Sequence, residues 1–406
     1  MINEYIERRI KKITGSNEFK DNPCFYLYNL DDISDKLDLL NLRPKNISLY
    51  YAMKANSNKD ILQHIKKHSN IQGVEIASIG ELNKARNYFS PNEIIFTGPG
   101  KTQRELEESI KEGIRLINIE SLVEAYRINS IAASKHLDPI DILVRINTNY
   151  HLDGSLTNMA GESTKMGIDE DIMRSTLNHI NSLDSLNIKG FHVFTASGVL
   201  DYKNLIDYAR YVFDLVQCFE KDNNQFIKII DFGGGFGIDY SGNEKKFDTI
   251  NYFNKISELI SSYDFQNKEF ILELGRYIVG ESGYYVAEII DIKNSKGKKH
   301  IVASGGVNHL RLPSASGINQ PVDIIKMNNL PIYKNQTYVD NEVIDIGGPL
   351  CFSEDKIAKD VLIKSANIGD LVVVSKTGAY GYSVSSLDLL SHPRPPEYVI
   401  QKGDEN

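Results

Sequence analysis

The stretch ISLYYAMK, residues 47–54, is a short apolar run that ends on a lysine, and similar runs recur along the chain. Seven more follow, separated by amphipathic helical segments: GVEIAS (73–78), EIIFTG (93–98), RLINIE (115–120), DILVRIN (141–147), IKGFHVFT (188–195), KIIDFGGG (228–235) and FILELG (270–275). Short apolar strands that alternate with helices predict a parallel sheet covered on both faces. Eight such strands are the number that closes a (β/α)8 barrel, so we predict an α/β fold with a TIM barrel. A doubly wound open sheet is the alternative architecture.

The pattern changes after Arg276, where strand-like segments joined by Gly, Pro and Asn replace the helical periodicity. We interpret this region as a separate all-β domain. The apolar stretch CFYLYNL (24–30) is expected to join that domain from the N-terminal side. The predicted organisation is therefore an N-terminal segment over residues 1–30, a barrel over 31–276 and a β-rich C-terminal domain over 277–406.

Composition and charge argue against several classes of protein. The 406 residues carry a formal net charge of −8, opposite in sign to the basic surface of a nucleic-acid-binding protein. The longest apolar runs are far too short to span a bilayer, and the N-terminus lacks the apolar core of a signal peptide. The cysteines Cys24, Cys218 and Cys351 lie far apart, without the spacing of a metal site. We therefore expect a cytoplasmic protein with reduced thiols and with no metal, nucleic-acid or membrane partner.

The residues with chemical potential stand at the predicted strand ends, where barrels of this type place their active sites. Lys54 ends the first strand, and the sixth carries His192 and leads to Thr195 and Ser197. Alone, a strand-end lysine is usually a solvated charge, and a histidine in an apolar strand is usually part of the core. Glu273, inside the eighth strand, is harder to explain in this way because a buried carboxylate needs a partner.

Together these groups have a chemical logic. The backbone N–H groups of Gly233, Gly234 and Gly235 can approach a phosphate closely, and the loop after strand seven is a recurrent phosphate site in barrels. Lysine forms a Schiff base with an aldehyde, and a carboxylate can bond a pyridine nitrogen. An aldehyde, a phosphate and a pyridine together describe pyridoxal 5′-phosphate (PLP).

The ordered motifs resemble one family over nearly the whole chain. They are YYAMKAN, GVEIASIGEL, IIFTGPGKT, GFHVF, DFGGGFG, ELGRYIV, GPLC and GAYGYSVS. This set is similar to the fold-type III PLP-dependent decarboxylases, which include diaminopimelate and ornithine decarboxylases. The resemblance implies a barrel with a PLP site, a C-terminal β domain as in alanine racemase, and a homodimer with shared active sites.

The resemblance also implies roles for individual residues. Lys54 resembles the Schiff-base lysine, His192 the histidine that stacks on the cofactor ring, and Glu273 the partner of the pyridine nitrogen. The expected phosphate-binding residues are Thr195, Ser197, Gly233, Gly234, Gly235, Gly275, Arg276 and Tyr380. Cys351 resembles the cysteine that a second subunit brings into the site to protonate the carbanion. The expected substrate contacts are Arg276, Arg311, Phe352 and Tyr380, with Arg311 able to bind a carboxylate bidentately.

Departures from the family pattern bear on the substrate. Decarboxylases of free diamino acids usually carry an acidic residue after the GPxC cysteine, where this chain has Phe352. Position 194, often glycine in the family, is also Phe. The segments NMAGESTKMGI (158–168), RLPSA (311–315) and HPRPPEY (392–398) resemble a branch from siderophore and antibiotic biosynthesis. That branch decarboxylates conjugated amino acids, linked for example to citrate or to a carrier protein.

Several alternatives stay open. Free diaminopimelate is disfavoured by Phe352, whereas a small amino acid such as serine is not. A racemase is disfavoured because alanine racemases place an arginine where this chain has Glu273. A non-catalytic homologue leaves Lys54 and Cys351 without a role, and a PLP-free phosphate-binding barrel leaves Lys54 and Glu273 unexplained.

Overall fold

A computed structural model describes residues 2–68, 70–152, 154, 156–158, 161–223, 225–243, 245–327 and 338–403. Met159 and Ala160, which belong to the segment 158–168 quoted above, lie outside the described residues. The chain forms two compact units. We call Ser34–Ile238 with Lys246–Ile278 the barrel unit, and Met1–Ile33 with Asp239–Lys245 and Val279–Asn406 the β unit.

The elements are numbered in chain order. The strands are β1 (Cys24–Asn29), β2 (Ile47–Ala52), β3 (Gly73–Ile76), β4 (Ile94–Phe96), β5 (Leu116–Ile119), β6 (Ile140–Asn147), β7 (Thr157–Asn158), β8 (Ile168–Asp169), β9 (Leu186–His192), β10 (Ala196–Ser197), β11 (Ile229–Asp231), β12 (Glu269–Leu274), β13 (Gly283–Ser295), β14 (Lys298–Ala303), β15 (Val322–Ile325), β16 (Val339–Gly347), β17 (Lys356–Ala366), β18 (Leu371–Ser375) and β19 (Glu397–Ile400). The α-helices are α1 (Glu4–Thr14), α2 (Asn17–Asp21), α3 (Leu30–Leu40), α4 (Lys59–Lys67), α5 (Ile79–Ala85), α6 (Gln103–Glu112), α7 (Leu122–Ser134), α8 (Met173–Asn181), α9 (Tyr202–Asn223), α10 (Thr249–Ser262), α11 (Arg276–Val279) and α12 (Leu312–Ser316).

The barrel unit contains a closed parallel sheet. Its strands pair in the order β5-β4-β3-β2-β12-β11-β9-β6, and a further pairing of β5 with β6 closes the ring. The short strand β8 extends β6 outside that ring. The eight paired strands are the eight predicted apolar runs, so the predicted (β/α)8 barrel is confirmed and the open sheet is excluded.

The loops between strands and helices show how the sequence positions the barrel rim. Asn58, Ser78, Thr102 and Ser121 each precede a helix, and their side chains accept hydrogen bonds from backbone N–H groups of its first turn. Such N-caps fix where each helix begins, because the first turn of a helix has unpaired backbone donors. The four loops that end at these caps, after β2, β3, β4 and β5, are consequently short.

Apolar side chains fill the interior of the barrel. One buried cluster draws residues from six different strands: Tyr50, Ile95, Leu116, Leu143, Ile229 and Ile271. Layers of this kind make a barrel a packed core rather than a pore. A charged side chain inside it therefore needs a specific partner.

The β unit contains a separate sheet that is mostly antiparallel. Six of its strands follow the order β15-β18-β13-β14-β16-β17, and β1 pairs with both β13 and β19. A buried cluster that includes Phe25, Leu27, Val286 and Val373 packs with Ile6 and Ile10 of α1. This sheet matches the predicted β-rich domain in fold class. Among the described residues, no helix is long and apolar enough to cross a bilayer.

Candidate active site

Lys54 lies in a single turn of 3₁₀-helix, Met53–Ala55, directly after β2. Its Nζ donates to both carboxylate oxygens of Glu75 at 2.8 Å. Glu75 belongs to β3, where Ala52 is its register partner on β2, and its side chain is buried. The ammonium of the opening stretch is therefore paired with a carboxylate supplied by the neighbouring strand.

His192 ends β9, with only 1% of its surface exposed. Neither ring nitrogen forms a hydrogen bond with another described residue, and Nε2 lies 3.8 Å from Oε2 of Glu273. Burial, reinforced by the positive charges of Arg145 and Lys54, holds the pKa of His192 well below its usual range. The imidazole is therefore neutral at neutral pH, and its planar ring can stack on another aromatic ring.

Two buried carboxyl groups, Glu273 on β12 and Asp231 at the end of β11, lie beside His192. One ligand atom from each of the three residues lies within 4.8 Å of the others. Burial and the negative charges of Asp231 and Glu75 raise the pKa of Glu273 well above its usual range. Burial likewise raises the pKa of Asp231 to about 7. The barrel interior thus holds an acidic pair that keeps a proton at neutral pH.

The glycine segment after β11 turns sharply. Gly233 has a φ of +62°, and a Cβ atom there would lie 2.6 Å from the ring of Phe194. A Cβ atom on Gly234 would lie 2.5 Å from the carbonyl oxygen of Glu273. Side chains are thus excluded at both positions, because Phe194 and the backbone of Glu273 already occupy the space that a Cβ atom would need.

The backbone donors of this segment are not equivalent. The N–H of Gly233 donates to Oδ1 of Asp231 at 2.8 Å, so it is already used within the chain. The N–H groups of Gly234 and Gly235 donate to none of the described residues. Gly234 and Gly235 thus have backbone donors available for a phosphate, and the predicted role of Gly233 stays a prediction.

Further polar groups surround the same rim. Thr195 is 3% exposed, and its hydroxyl has no hydrogen-bond partner among the described residues. Ser197 lies in β10, which pairs with β7. A Cβ atom on Gly275 would lie 2.8 Å from Cβ of Ala55, so β12 ends directly beside the turn that carries Lys54. Arg276 follows as the first residue of α11.

The other predicted site residues belong to the β unit. Arg311 is exposed, Tyr380 has a φ of +56°, and Cys351 and Phe352 are exposed on the loop after β16. The buried carboxylate of Asp355 accepts the N–H of Val307 at 2.7 Å and that of Leu350 at 2.8 Å. It therefore joins the loop before Arg311 to the loop of Cys351. The barrel unit brings together the remaining predicted site residues: Lys54, His192, Thr195, Ser197, Gly233, Gly234, Gly235, Glu273, Gly275 and Arg276.

Sequence reasoning missed four buried charged residues in and beside the barrel strands. Glu75 pairs with Lys54, Asp231 adjoins Glu273, and Arg145 of β6 pairs with Glu120 at 2.8 Å. The missed signal was the one used for Glu273, a charged residue within or at the end of an apolar strand. GVEIAS (73–78), DILVRIN (141–147) and KIID (228–231) all carry it.

The donor set fits PLP in its chemistry. It offers an amine for an aldehyde, a neutral imidazole for an aromatic ring and a buried carboxyl for a pyridine nitrogen. It also offers an unbonded buried hydroxyl and two backbone donors on glycines that have no room for a side chain. Two of the buried side chains that have no hydrogen-bond partner among the described residues, His192 and Thr195, thus have counterparts in that cofactor.

Comparison with known proteins gives the same answer. Residues 30–280 match the family model of the pyridoxal binding domain of pyridoxal-dependent decarboxylases. The chain is 33% identical to 2-[(L-alanin-3-ylcarbamoyl)methyl]-2-hydroxybutanedioate decarboxylase of Staphylococcus aureus, over 94% of this chain and 95% of that protein. It is 32% identical to L-glutamyl-[BtrI acyl-carrier protein] decarboxylase of Niallia circulans, over 97% and 92%.

A solved structure extends the likeness to both units. The diaminopimelate decarboxylase of Helicobacter pylori, complexed with L-lysine, has a TM-score of 0.82 and 27% identity, covering 93% of this chain and 91% of that one. The family match favours decarboxylation over the racemase and the PLP-free barrel that the sequence left open. The chain therefore belongs to the pyridoxal-dependent decarboxylase family, fold type III, and is a PLP-dependent amino-acid carboxy-lyase.

Proposed function

We propose that the protein decarboxylates an amino acid whose distal end is already conjugated, to a citrate-like acid or to a carrier protein. The observation that carries this proposal is Phe352, which directly follows Cys351 and is 45% exposed on the β unit. A phenyl ring offers no charge to a distal ammonium, and an ammonium buried without a partner is costly. A conjugated substrate presents a neutral amide or thioester at that end instead.

The names of the two relatives agree with this substrate class. The Staphylococcus aureus protein acts on an alanyl unit joined through a carbamoyl group to a hydroxybutanedioate. The Niallia circulans protein acts on a glutamyl group held by an acyl-carrier protein. In both substrates the amino acid is attached to a larger group, which supports a place for this chain in siderophore or related secondary metabolism.

We assign the cofactor contacts from the barrel geometry. PLP, when bound, withdraws electrons from the α-carbon and stabilises the charge left by departing CO2. Lys54 would hold its aldehyde carbon, His192 would cover its ring, and Glu273 would hold a proton at its pyridine nitrogen. The proposed phosphate ligands are Thr195, Ser197, Gly234, Gly235, Gly275, Arg276 and Tyr380, supported in the barrel by the unbonded Thr195 hydroxyl and the two glycine donors.

We assign proton delivery and substrate binding to the β unit of a homodimer. Cys351 lies exposed on its loop, where its thiol can donate a proton to the substrate's Cα from a partner subunit. Arg311 is exposed on the same unit and is suited to a substrate carboxylate. Asp355 joins the loops of these two residues, so their positions depend on each other.

The test compares two substrate sets on the PLP-loaded protein by CO2 release. One set is free diaminopimelate, ornithine, lysine and serine, and the other is citryl-linked and carrier-linked amino acids. We expect turnover of the conjugates only. Efficient turnover of diaminopimelate or serine with none of the conjugates would contradict the proposal.

A variant tests the role of Phe352 itself. Phe352→Asp supplies a carboxylate, so we expect it to raise the activity on free diamino acids relative to the conjugates. Leu362→Asp is the matched control, because Leu362 is a similarly exposed apolar residue on β17 of the same unit. Equal effects of the two substitutions would show that the position of the charge is irrelevant.

A further inference from the structure

The acidic pair of the barrel, Asp231 and Glu273, is buried. Asp231 is fully buried at the end of β11, and Glu273 is 6% exposed on the adjacent strand β12. Their carboxyl oxygens lie within 4.8 Å of one another. Two carboxylates this close, away from water, cannot both be ionised, so the pair holds one proton at neutral pH.

The hydrogen bonds of the pair place that proton. Oδ1 of Asp231 accepts the backbone N–H of Gly233 at 2.8 Å, a bond that stabilises the ionised form. The carboxyl of Glu273 accepts the Thr97 hydroxyl at the long distance of 3.4 Å, and no backbone N–H of the described residues donates to it. Asp231 is therefore the more readily ionised of the two carboxyl groups, and Glu273 carries the proton. The pKa directions agree, because the pKa of Glu273 is raised well above the usual range and that of Asp231 to about 7.

The other charges that face the pair are mostly neutralised by partners of their own. Glu75 of β3 forms its ion pair with Lys54 after β2. Arg145 of β6 pairs with Glu120 at the end of β5, at 2.8 Å. Lys101 after β4 and Glu124 of α7 pair with each other at 2.8 Å. The pKa of His192 on β9 is lowered, so its imidazole is neutral and cannot serve as a cation for the acidic pair. The pair therefore keeps one negative charge and one proton.

We propose that Asp231 is a positioning residue whose carboxylate keeps a proton on Glu273 and, with the cofactor bound, keeps the pyridine nitrogen protonated through Glu273. This rests on the proposed function, in which Glu273 bonds that nitrogen. With PLP bound, Glu273 would share this proton with the ring nitrogen. The negative charge that Asp231 carries above about pH 7 would stabilise the protonated ring.

The test measures the protonation of the pyridine nitrogen by nuclear magnetic resonance. PLP labelled with nitrogen-15 in its ring is loaded into the wild type and into Asp231→Asn, and the ring-nitrogen chemical shift is followed from about pH 6 to about pH 9. We expect the nitrogen to stay protonated in the wild type and to bind its proton at least about tenfold more weakly in Asp231→Asn. An amide oxygen can still accept the Gly233 N–H, so the loop keeps its support.

Thr97→Val is the matched control, because it removes the neutral partner of Glu273 and leaves the charge of Asp231. It should titrate like the wild type. A merely structural role for Asp231 predicts a lower Tm and an unchanged titration. The proposal predicts an altered titration and a Tm above pH 7 that is unchanged or higher, because a destabilising buried charge is gone. An unchanged nitrogen shift in Asp231→Asn would overturn it.

A second measurement needs no variant. Carbon-13 labelling of the glutamate carboxyl groups in the wild-type protein without cofactor should show one glutamate still protonated at neutral pH. Only ionised glutamates would overturn the proposal. CO2 release by the wild type distinguishes a failure of the proposed function from a failure of the role given to Asp231. If the wild type is inactive on every substrate, the proposed function is wrong. If it is active but the wild type and Asp231→Asn give the same nitrogen titration, only the role of Asp231 is wrong.

Discussion

At the scale of single residues, the chemistry depends on charges placed inside an apolar barrel. Glu273 has a Thr97 hydroxyl at 3.4 Å and no cation within 4 Å among the described residues. A buried carboxyl group without a strong partner lowers the stability of the fold. In our proposal, the partner of Glu273 is the pyridine nitrogen of PLP. Glu273 could be singled out from FILELG (270–275) alone, because a buried acid in an apolar strand is conspicuous without any structure.

The first prediction follows from this use of Glu273. Glu273→Gln keeps the shape of the side chain but cannot hold a negative charge against a protonated ring nitrogen. We expect CO2 release to fall by about 100-fold or more, the usual range for a lost acid–base group, while PLP remains attached to Lys54. Glu273→Arg, which imitates the racemases, should suppress decarboxylation as well. Glu93→Gln, in the turn before β4, is the control and should retain full activity.

The second prediction concerns acid stability and Asp345 of β16. Burial alone would raise the pKa of this carboxyl, but Lys298, the N–H of Asp360 and Lys356 together lower it to about 2. The folded pKa lies below the ordinary value of 3.8, so the stabilisation is complete above about pH 4 and is lost as the pH falls towards 2. Asp345→Asn should lower the free energy of unfolding by about 1–2 kcal/mol at neutral pH.

Urea denaturation at a series of pH values measures this effect. The difference between Asp345→Asn and the wild type should vanish towards pH 2. Asp360→Asn provides the comparison, because Asp360 binds the same lysine but has a side chain that is 59% exposed. A loss of stability that does not depend on pH would show that Asp345 acts through packing rather than through charge.

At the scale of elements, the eight barrel strands were predictable because each is a local apolar run between helix signals. Their ends were not. The run KIIDFGGG (228–235) ends as a strand at Asp231, since the positive φ of Gly233 breaks the extended backbone. Likewise β9 ends at His192, which leaves Thr195 and Ser197 on the segment that follows. Such ends depend on contacts between distant segments, as between Gly234 and Glu273, and local patterns do not contain them.

The third prediction tests the glycine segment as an element. In Gly234→Ala the added Cβ would meet the carbonyl oxygen of Glu273 at 2.5 Å, and backbone cannot yield as a flexible side chain does. We expect a loss of about 1–3 kcal/mol in stability and weaker PLP binding, read from Tm and from a PLP titration. Gly100→Ala is the matched control, because a Cβ atom there meets nothing within 4 Å. Equal behaviour of the two variants would mean that the close approach at Gly234 is unimportant.

At the scale of the whole molecule, the division of the chain into a barrel and a β-rich region could be predicted because strand-like segments replace the helical periodicity after Arg276. The proposed subunit arrangement could not be derived in this way and rests on the family resemblance. Lys54 belongs to the barrel unit and Cys351 to the β unit. Sites shared between two subunits would combine Lys54 of one chain with Cys351 of the other.

The fourth prediction follows from shared sites. Lys54→Ala and Cys351→Ala should each be nearly inactive alone. Mixed and allowed to exchange subunits, they should recover about one quarter of the wild-type activity, because half of the dimers are mixed and each of these has one intact site. Cys218→Ala, which alters the exposed cysteine of the barrel unit, should be fully active by itself. If activity does not recover although subunit exchange is demonstrated, each active site contains Lys54 and Cys351 of the same chain, which would contradict the proposal of shared sites.

The central claim is that Lys54 carries the cofactor of a decarboxylase, and borohydride reduction tests it most directly. The PLP-loaded protein is reduced and digested, and the peptide that bears the phosphopyridoxyl group is identified by mass spectrometry while CO2 release is followed in parallel. We predict a single label on the peptide that contains Lys54, with loss of activity in proportion to labelling. A label on another lysine, or full activity in Lys54→Ala, would contradict it.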